Sequence, residues 1–325
     1  MNICGLGVSG SYLFRRLTDI GFSVNAFDVK RSDYYIPCGY ATNERKIGEY
    51  CKRAGISFDD YIISRAENVI VAGDNFAEHT FKSSGLCTFD KNRFEHDLIK
   101  DLNVMKSKPD YNDGISLDCS GISRALLGQS PDDYCMSAIE YLSENAKHKS
   151  FYFKFYGKAM GYFWEFPMGN RYHVGAGGLD HSDNLRRLVP YQKILVTGRK
   201  IRLKPLFENI YKGNIAGTGE AIGCVSPITG EGIIPSLKSA DLFIECARKY
   251  DNIPDLFEKY AVKIRREFGR YYGLHRMVKN LQEGKTLTVD NIRFARSALN
   301  EFREFGVDIT APAVLSHFIM PKRHN

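Results

Sequence analysis

The glycines of Gly5-Leu6-Gly7-Val8-Ser9-Gly10 stand at G-x-G-x-x-G spacing. At that spacing the first glycine permits a tight turn and the second lets a pyrophosphate approach the backbone. The third lets a helix pack closely on the preceding strand. Amides at the start of that helix would face the phosphates. Asp28 follows 18 residues after Gly10, where a carboxylate would accept from ribose hydroxyls. A second glycine-rich stretch runs from Gly217 to Gly232. The eight cysteines contain no C-x-x-C pair and the eight histidines no ligand spacing, so no metal site is assigned.

These residues need elements to hold them. Residues 2–4 read as a short strand, Ser11 to Ile20 as an amphipathic helix ended by Gly21, and Ser23 to Asp28 as a second strand. This is a β-α-β unit opening at the first residues. Further along, the pattern predicts a helix over 42–54, strands over 61–72, 79–89 and 115–119, and a helix following Asp90. The stretch 103–113 reads as loop. From Ser150 to Gly178 aromatics alternate, as in Phe151-Tyr152-Phe153-Lys154-Phe155, which predicts antiparallel strands with one face on a core or cavity. A strand over 210–216 leads into the second glycine loop, and helices are predicted over 233–250, 254–270, 273–281 and 289–305.

The 325 residues suffice for one large or two intertwined domains. The formal charge of +7 comes from well-mixed acidic and basic residues, unlike the concentrated basic face of a nucleic-acid binder. Scattered cysteines in apolar segments fit reduced thiols and a cytoplasmic setting. The opening residues lead straight into the glycine turn, leaving no room for a signal peptide. No apolar run approaches the roughly 20 residues that span a bilayer, so any membrane contact would be peripheral.

The fingerprint alone does not separate NAD from FAD. Five segments in order resemble the geranylgeranyl reductase family of FAD-binding proteins, within the larger para-hydroxybenzoate hydroxylase-like group. After the fingerprint comes Pro37-Cys38-Gly39, similar to the family's Pro-Cys-Gly turn. Asp90-Lys91-Asn92-Arg93-Phe94-Glu95 resembles its Asp-Arg-x-x-Phe-Asp segment, with Lys91 and Glu95 as departures. Asp118-Cys119-Ser120-Gly121-Ile122-Ser123-Arg124 is similar to its Asp-x-x-Gly-x-x-Ser-x-x-Arg region, with a shorter final spacing. Tyr162-Phe163-Trp164-Glu165-Phe166-Pro167 resembles its Tyr-x-Trp-x-Phe-Pro signature. The fifth segment, Gly219-Glu220-Ala221 through Thr229-Gly230-Glu231-Gly232-Ile233, resembles its second flavin-contacting loop, with Glu220 where aspartate is usual.

The resemblance implies an α/β fold: a Rossmann-like FAD-binding domain, an inserted antiparallel β-sheet substrate domain and C-terminal helices. The expected boundaries are 1–145 and 206–250 for the FAD domain, 146–205 for the antiparallel region and 251–325 for the helical end. FAD would be held by Gly5, Gly7, Val8, Ser9 and Gly10, by Asp28, Val29 and Lys30, and by Cys38, Gly39 and Arg93. The second loop would add Gly219, Glu220, Gly230, Glu231, Gly232 and Ile233, its amides facing the flavin ring. Tyr162, Trp164 and Phe166 would line a tunnel for an isoprenoid chain, and Cys38 would supply a proton. The implied activity is reduction of carbon–carbon double bonds in an isoprenoid lipid, with NADPH or a ferredoxin-like protein as electron donor. An FAD monooxygenase, a cyclase-type enzyme and a flavin-binding protein without catalysis are the alternatives. The chain is short for the family, with a compact stretch between Phe94 and Asp118.

Overall fold

The computed structural model describes residues 1–29, 35, 38–74, 76–105, 109–180, 182–286 and 288–309. The chain opens with β1 (Asn2–Cys4), α1 (Val8–Asp19) and β2 (Asn25–Phe27), then β3 (Ala41–Asn43) and α2 (Glu44–Arg53). Four strands follow, β4 (Ile62–Arg65), β5 (Asn68–Gly73), β6 (Phe76–Lys82) and β7 (Leu86–Phe89). Next come α3 (Lys91–Asp97), β8 (Val104–Met105) and β9 (Ser116–Asp118). The middle of the chain holds β10 (Cys135–Ser143), β11 (Phe151–Phe155), β12 (Gly161–Met168), β13 (Arg171–Gly178), α4 (Ser182–Arg187) and β14 (Leu195–Arg202). It ends with β15 (Tyr211–Lys212), β16 (Ile215–Gly217), α5 (Ile233–Ala247), α6 (Ile253–Phe268), α7 (Arg270–Gln282) and α8 (Val289–Phe305).

The first sheet has the order β15-β16-β9-β1-β2-β8, parallel except for the β15–β16 hairpin. Its strands are too short to carry much energy themselves. They are fixed because Ile3, Ala26, Leu117 and Ala216 are fully buried under α1 and α5. Helix α5 is apolar around most of its circumference, as a helix covered on several sides must be. The helices α6 and α7 join this same core through Leu256, Tyr260, Ile264 and Leu274.

The second sheet has seven strands in the order β14-β10-β13-β12-β11-β5-β6. Period-2 alternation gives it two apolar faces. The inner face presents Val69, Val71, Phe151, Phe153, Phe155, Trp164 and Phe166 to Phe302 and Phe305 of α8. The outer face presents Ile139, Tyr141, Tyr152, Phe163 and Val174 to Leu185 of α4 and Val189. A third sheet, β3-β7-β4, bridges the two units.

Several expectations are corrected here. The apolar run 61–72 divides at Ala66–Glu67 into β4 and β5, which belong to different sheets. The run 79–89 likewise divides at Ser83-Ser84-Gly85, where Gly85 takes φ +119°. Both bends fall in short polar stretches, Ser64-Arg65-Ala66-Glu67-Asn68 and Lys82-Ser83-Ser84-Gly85, whose turn signals the flanking apolar residues outweighed. The large sheet also takes β5, β6 and β10 from within residues 1–145, because pairing with β11 and β13 buries them better than an independent hairpin could.

Candidate functional site

The first glycine turn does what its spacing requires. Gly5 has φ +93°, and a Cβ there would lie 2.8 Å from the Cys119 carbonyl oxygen. A Cβ on Gly10 would lie 1.9 Å from the Gly5 carbonyl oxygen, so only glycine lets α1 seat against the turn. Gly7 differs: a Cβ there meets no described atom within 4 Å. Gly7 is also the N-cap of α1, with no side chain capping it and no acidic residue in the first turn. The positive end of α1, with Val8, Ser9 and Gly10 in its first turn, is therefore left for an outside anion. Asp28 Oδ2 accepts from the Leu6 amide at 2.7 Å, which ties the end of β2 to the turn. Val29 is exposed, and Lys30 and Pro37 lie outside the described residues.

The second loop closes onto the first. Gly219 has φ +63°, and a Cβ there would lie 2.8 Å from Ser9 Oγ and 2.9 Å from Ser236 Oγ. Glu220 does not reach outward: its carboxylate pairs with Arg199 and accepts from the Arg202 amide at 3.0 Å. Two arginines hold this loop from behind. Arg124 donates to the Ala221 and Asn209 carbonyls at 2.7 and 2.6 Å. Arg202, fully buried, pairs with Asp133 at 2.7 Å and donates to the Gly121, Ile122 and Glu220 carbonyls. Arg202 and Asp133 carry no sequence signal, since they come from separate elements that only the fold joins. Arg124 lay within the motif-like segment 118–124.

Further on, Gly230 has φ +68° and sits beside Tyr162, whose hydroxyl donates to the Thr229 carbonyl at 2.5 Å. Gly232 caps α5. The amides of Ile233 and Ile234 both donate to Glu231 Oε1 at 2.9 Å. The helix-start amides expected to face a flavin ring are thus engaged by the chain's own carboxylate. Burial pushes the Glu231 carboxyl up to about 8, against the two amides that favour its charge.

Cys38 is half-buried between these parts. Burial raises its thiol above the usual range, with Lys91 opposing, so the thiol keeps its proton at neutral pH. Gly39 packs so closely that a Cβ would lie 2.9 Å from Phe166 Cε2 and 3.5 Å from Trp164 Nε1. The Cys-Gly turn and the aromatic signature therefore meet. Trp164 and Phe166 are buried in the inner-face core, and Gly175 makes room for the indole. Tyr162 alone of the three lines a cavity, of about 80 Å³, together with Met136, Ile228, Met277, Leu281 and Phe302. Arg93 sits apart on α3, donating to the Asp60 carbonyl at 3.1 Å and covering the Tyr61 ring. No cluster of potential metal ligands occurs among the described residues.

No protein-family profile matches the chain. An uncharacterised protein of Methanocaldococcus jannaschii is 25% identical, over 86% of this chain and 92% of its own. Among solved structures, a geranylgeranyl bacteriochlorophyll reductase-like protein from Thermoplasma acidophilum superposes with a TM-score of 0.68 at 18% identity. That match covers 94% of this chain and 98% of the other. A flavin-dependent halogenase from Xanthomonas campestris gives 0.69 at 14% identity, over 100% and 90%. A probable FAD-dependent monooxygenase from Pseudomonas aeruginosa gives 0.64 at 15%, over 87% and 96%. The chain has the α/β FAD-binding fold that these proteins share.

Proposed function

We propose that the chain is an FAD-dependent oxidoreductase that reduces carbon–carbon double bonds of an isoprenoid, geranylgeranyl-type lipid. The observation that carries the reading is the apolar cavity walled by Tyr162, α7 and α8, which opens beside the Gly230 turn. Its lining is almost wholly hydrocarbon and aromatic, which suits the end of a prenyl chain; at about 80 Å³ it would have to widen to take the whole of one.

The residues present fit FAD. The open N-terminus of α1 at Gly7 would take the pyrophosphate, Asp28 stands at the ribose end, and the Gly219 loop closes over Ser9. Glu220 and Glu231 act as struts of that loop, since each is bonded within the chain. When bound and reduced, FAD supplies the hydride equivalent. Cys38 holds a proton on Sγ for the other carbon, and burial keeps that proton in place until a carbanion-like or alkene carbon needs it.

A second reading, an FAD monooxygenase, is favoured by the likeness to the Pseudomonas protein. Purified protein incubated with FAD and bleached by dithionite separates the two. The reductase reoxidises anaerobically on adding a geranylgeranyl lipid; the monooxygenase forms product only with oxygen. Protein that neither carries nor takes up FAD refutes both. NADPH or a ferredoxin-like protein would serve as donor. No helix among the described residues is long and apolar enough to cross a membrane, and peripheral attachment is proposed for access to the lipid.

A further inference from the structure

Glu140 lies on β10, four residues beyond Met136 of the apolar cavity, and is only 3% exposed. Across the sheet it faces Thr197 of β14, and His173 of β13, fully buried, lies diagonally opposite. Among the described residues no side chain hydrogen-bonds either Glu140 carboxyl oxygen, which only the Cys38 amide approaches, and His173 Nδ1 and Thr197 Oγ1 have no partner. An ionised carboxylate in such a place would cost several kcal/mol with no cation to offset it. The carboxyl is held neutral by burial, and burial drives the His173 imidazole down to about 4.

The groups form a line. Glu140 Oε1 is 3.6 Å from His173 Nδ1, slightly beyond hydrogen-bond length, and His173 Nε2 is 2.5 Å from the Tyr35 hydroxyl. The segment that covers them is the Cys38 turn itself: the Tyr40 ring meets the His173 ring edge-on at 4.8 Å, and the Cys38 amide lies against the Glu140 carboxyl. The titratable and charged groups that face Glu140 and the turn are His173 from β13, Arg199 from β14, Tyr162 from β12, Asp90 at the N-terminus of α3, Lys91 and Glu95 from α3, and Tyr35, Cys38 and Tyr40 from the cover. Arg199 is engaged by Glu220 and Lys91 by Glu95, while Asp90 adds a carboxylate near the Tyr35 end of the line.

We propose that Glu140, His173 and Tyr35 form a buried proton relay that positions the Cys38 turn and restores the Cys38 proton after each turnover. This rests on the reading of Cys38 as proton donor. In the turnover the Cys38 S–H bond breaks as the substrate C–H bond forms, leaving a thiolate. The Glu140 O–H bond then breaks, an S–H bond forms again, and the carboxylate is reprotonated from solvent through Tyr35 and His173. Each step moves one proton and needs no oxidant.

Infrared spectra of the FAD-loaded protein at pH 8 provide a test independent of activity. The carbonyl stretch of a protonated carboxylic acid should be present and should vanish in Glu140→Gln; the same spectrum in both proteins overturns the proposal. Alkylation of Cys38 against pH, followed by peptide mass spectrometry, reads the coupling. Once alkaline pH ionises Glu140 its charge holds the thiol up, and Glu140→Gln removes that charge, so on the alkaline limb of the profile Cys38 should alkylate faster, by about threefold or more, equivalent to half a pKa unit. An unchanged profile also overturns it. With a geranylgeranyl lipid, Glu140→Gln should lower kcat about tenfold or more at unchanged KM, and Glu140→Asp should restore part of it. If wild type fails on this lipid while the first two results hold, the substrate reading fails and the relay stands.

Discussion

Gly219 rests on Ser9. A single Cβ added at Gly219 would come within 2.8 Å of Ser9 Oγ, and its φ of +63° already disfavours any side chain. Through this contact the loop after β16 closes onto the first turn of α1, and the two glycine-rich segments become one site. Gly219→Val should therefore cost both stability and FAD retention, since positive φ and steric overlap add. Urea unfolding monitored with and without FAD checks it; unchanged midpoints would show that the loop can move away freely.

Gly7 gives the opposite expectation for stability. Because a Cβ there meets no described atom within 4 Å, Gly7→Val should fold with a melting temperature near wild type in the absence of FAD. It should lose flavin on gel filtration, because the side chain would fill the approach of the pyrophosphate. Full flavin occupancy in this variant would place the cofactor elsewhere.

Cys38→Ser should keep FAD and its reduction by dithionite. A serine hydroxyl is a far weaker acid than a thiol, so anaerobic reoxidation by a geranylgeranyl lipid should slow by about 100-fold or more. Stopped-flow absorbance of the flavin band measures this. An equal rate would make Cys38 a packing residue.

Acid should unfold the protein early. His173, whose folded value is pushed down to about 4, binds no proton in the native state between pH 6.5 and 4, whereas the unfolded chain does. More protons on the unfolded side means stability falls as pH falls through that window, by about 3 kcal/mol for this residue. Glu231 acts with the opposite sign. Its folded value is raised to about 8, so its contribution is complete below pH 4.5 and is lost as pH rises to 8. Denaturant midpoints from pH 4 to 9 should show a maximum between these limits. His173→Gln should flatten the acid limb, and Glu231→Gln the alkaline one.

Arg202 is the buried keystone behind the second loop. Arg202→Met leaves Asp133 without its partner and takes a donor from three carbonyls, of which Gly121 and Glu220 keep a backbone amide. A loss of about 3–5 kcal/mol is expected, read by urea unfolding. The double variant Arg202→Met/Asp133→Asn should recover part of it, because the orphaned charge is gone.

The opening β-α-β unit was legible in the sequence because its signals are local: the turn at Gly5–Gly10, the periodicity of α1 and the stop at Gly21 all act within a few residues. The aromatic strands β11 and β12 were legible for the same reason, their alternation being written in consecutive residues. Strands β10 and β14 were not. Their sequences mix serine, glutamate, arginine and glycine, and they are held as strands by pairing with a neighbour distant in sequence, β13 and β10 respectively. The Cys38 turn could be picked out by type, but not what stands behind it. Glu140, His173 and Tyr35 are joined only by sheet register and the path of the covering segment, and burial then decides their protonation. Local spacing set where a cofactor's phosphates could approach. Long-range packing decided which polar groups lost water, and with it the chemistry left to them.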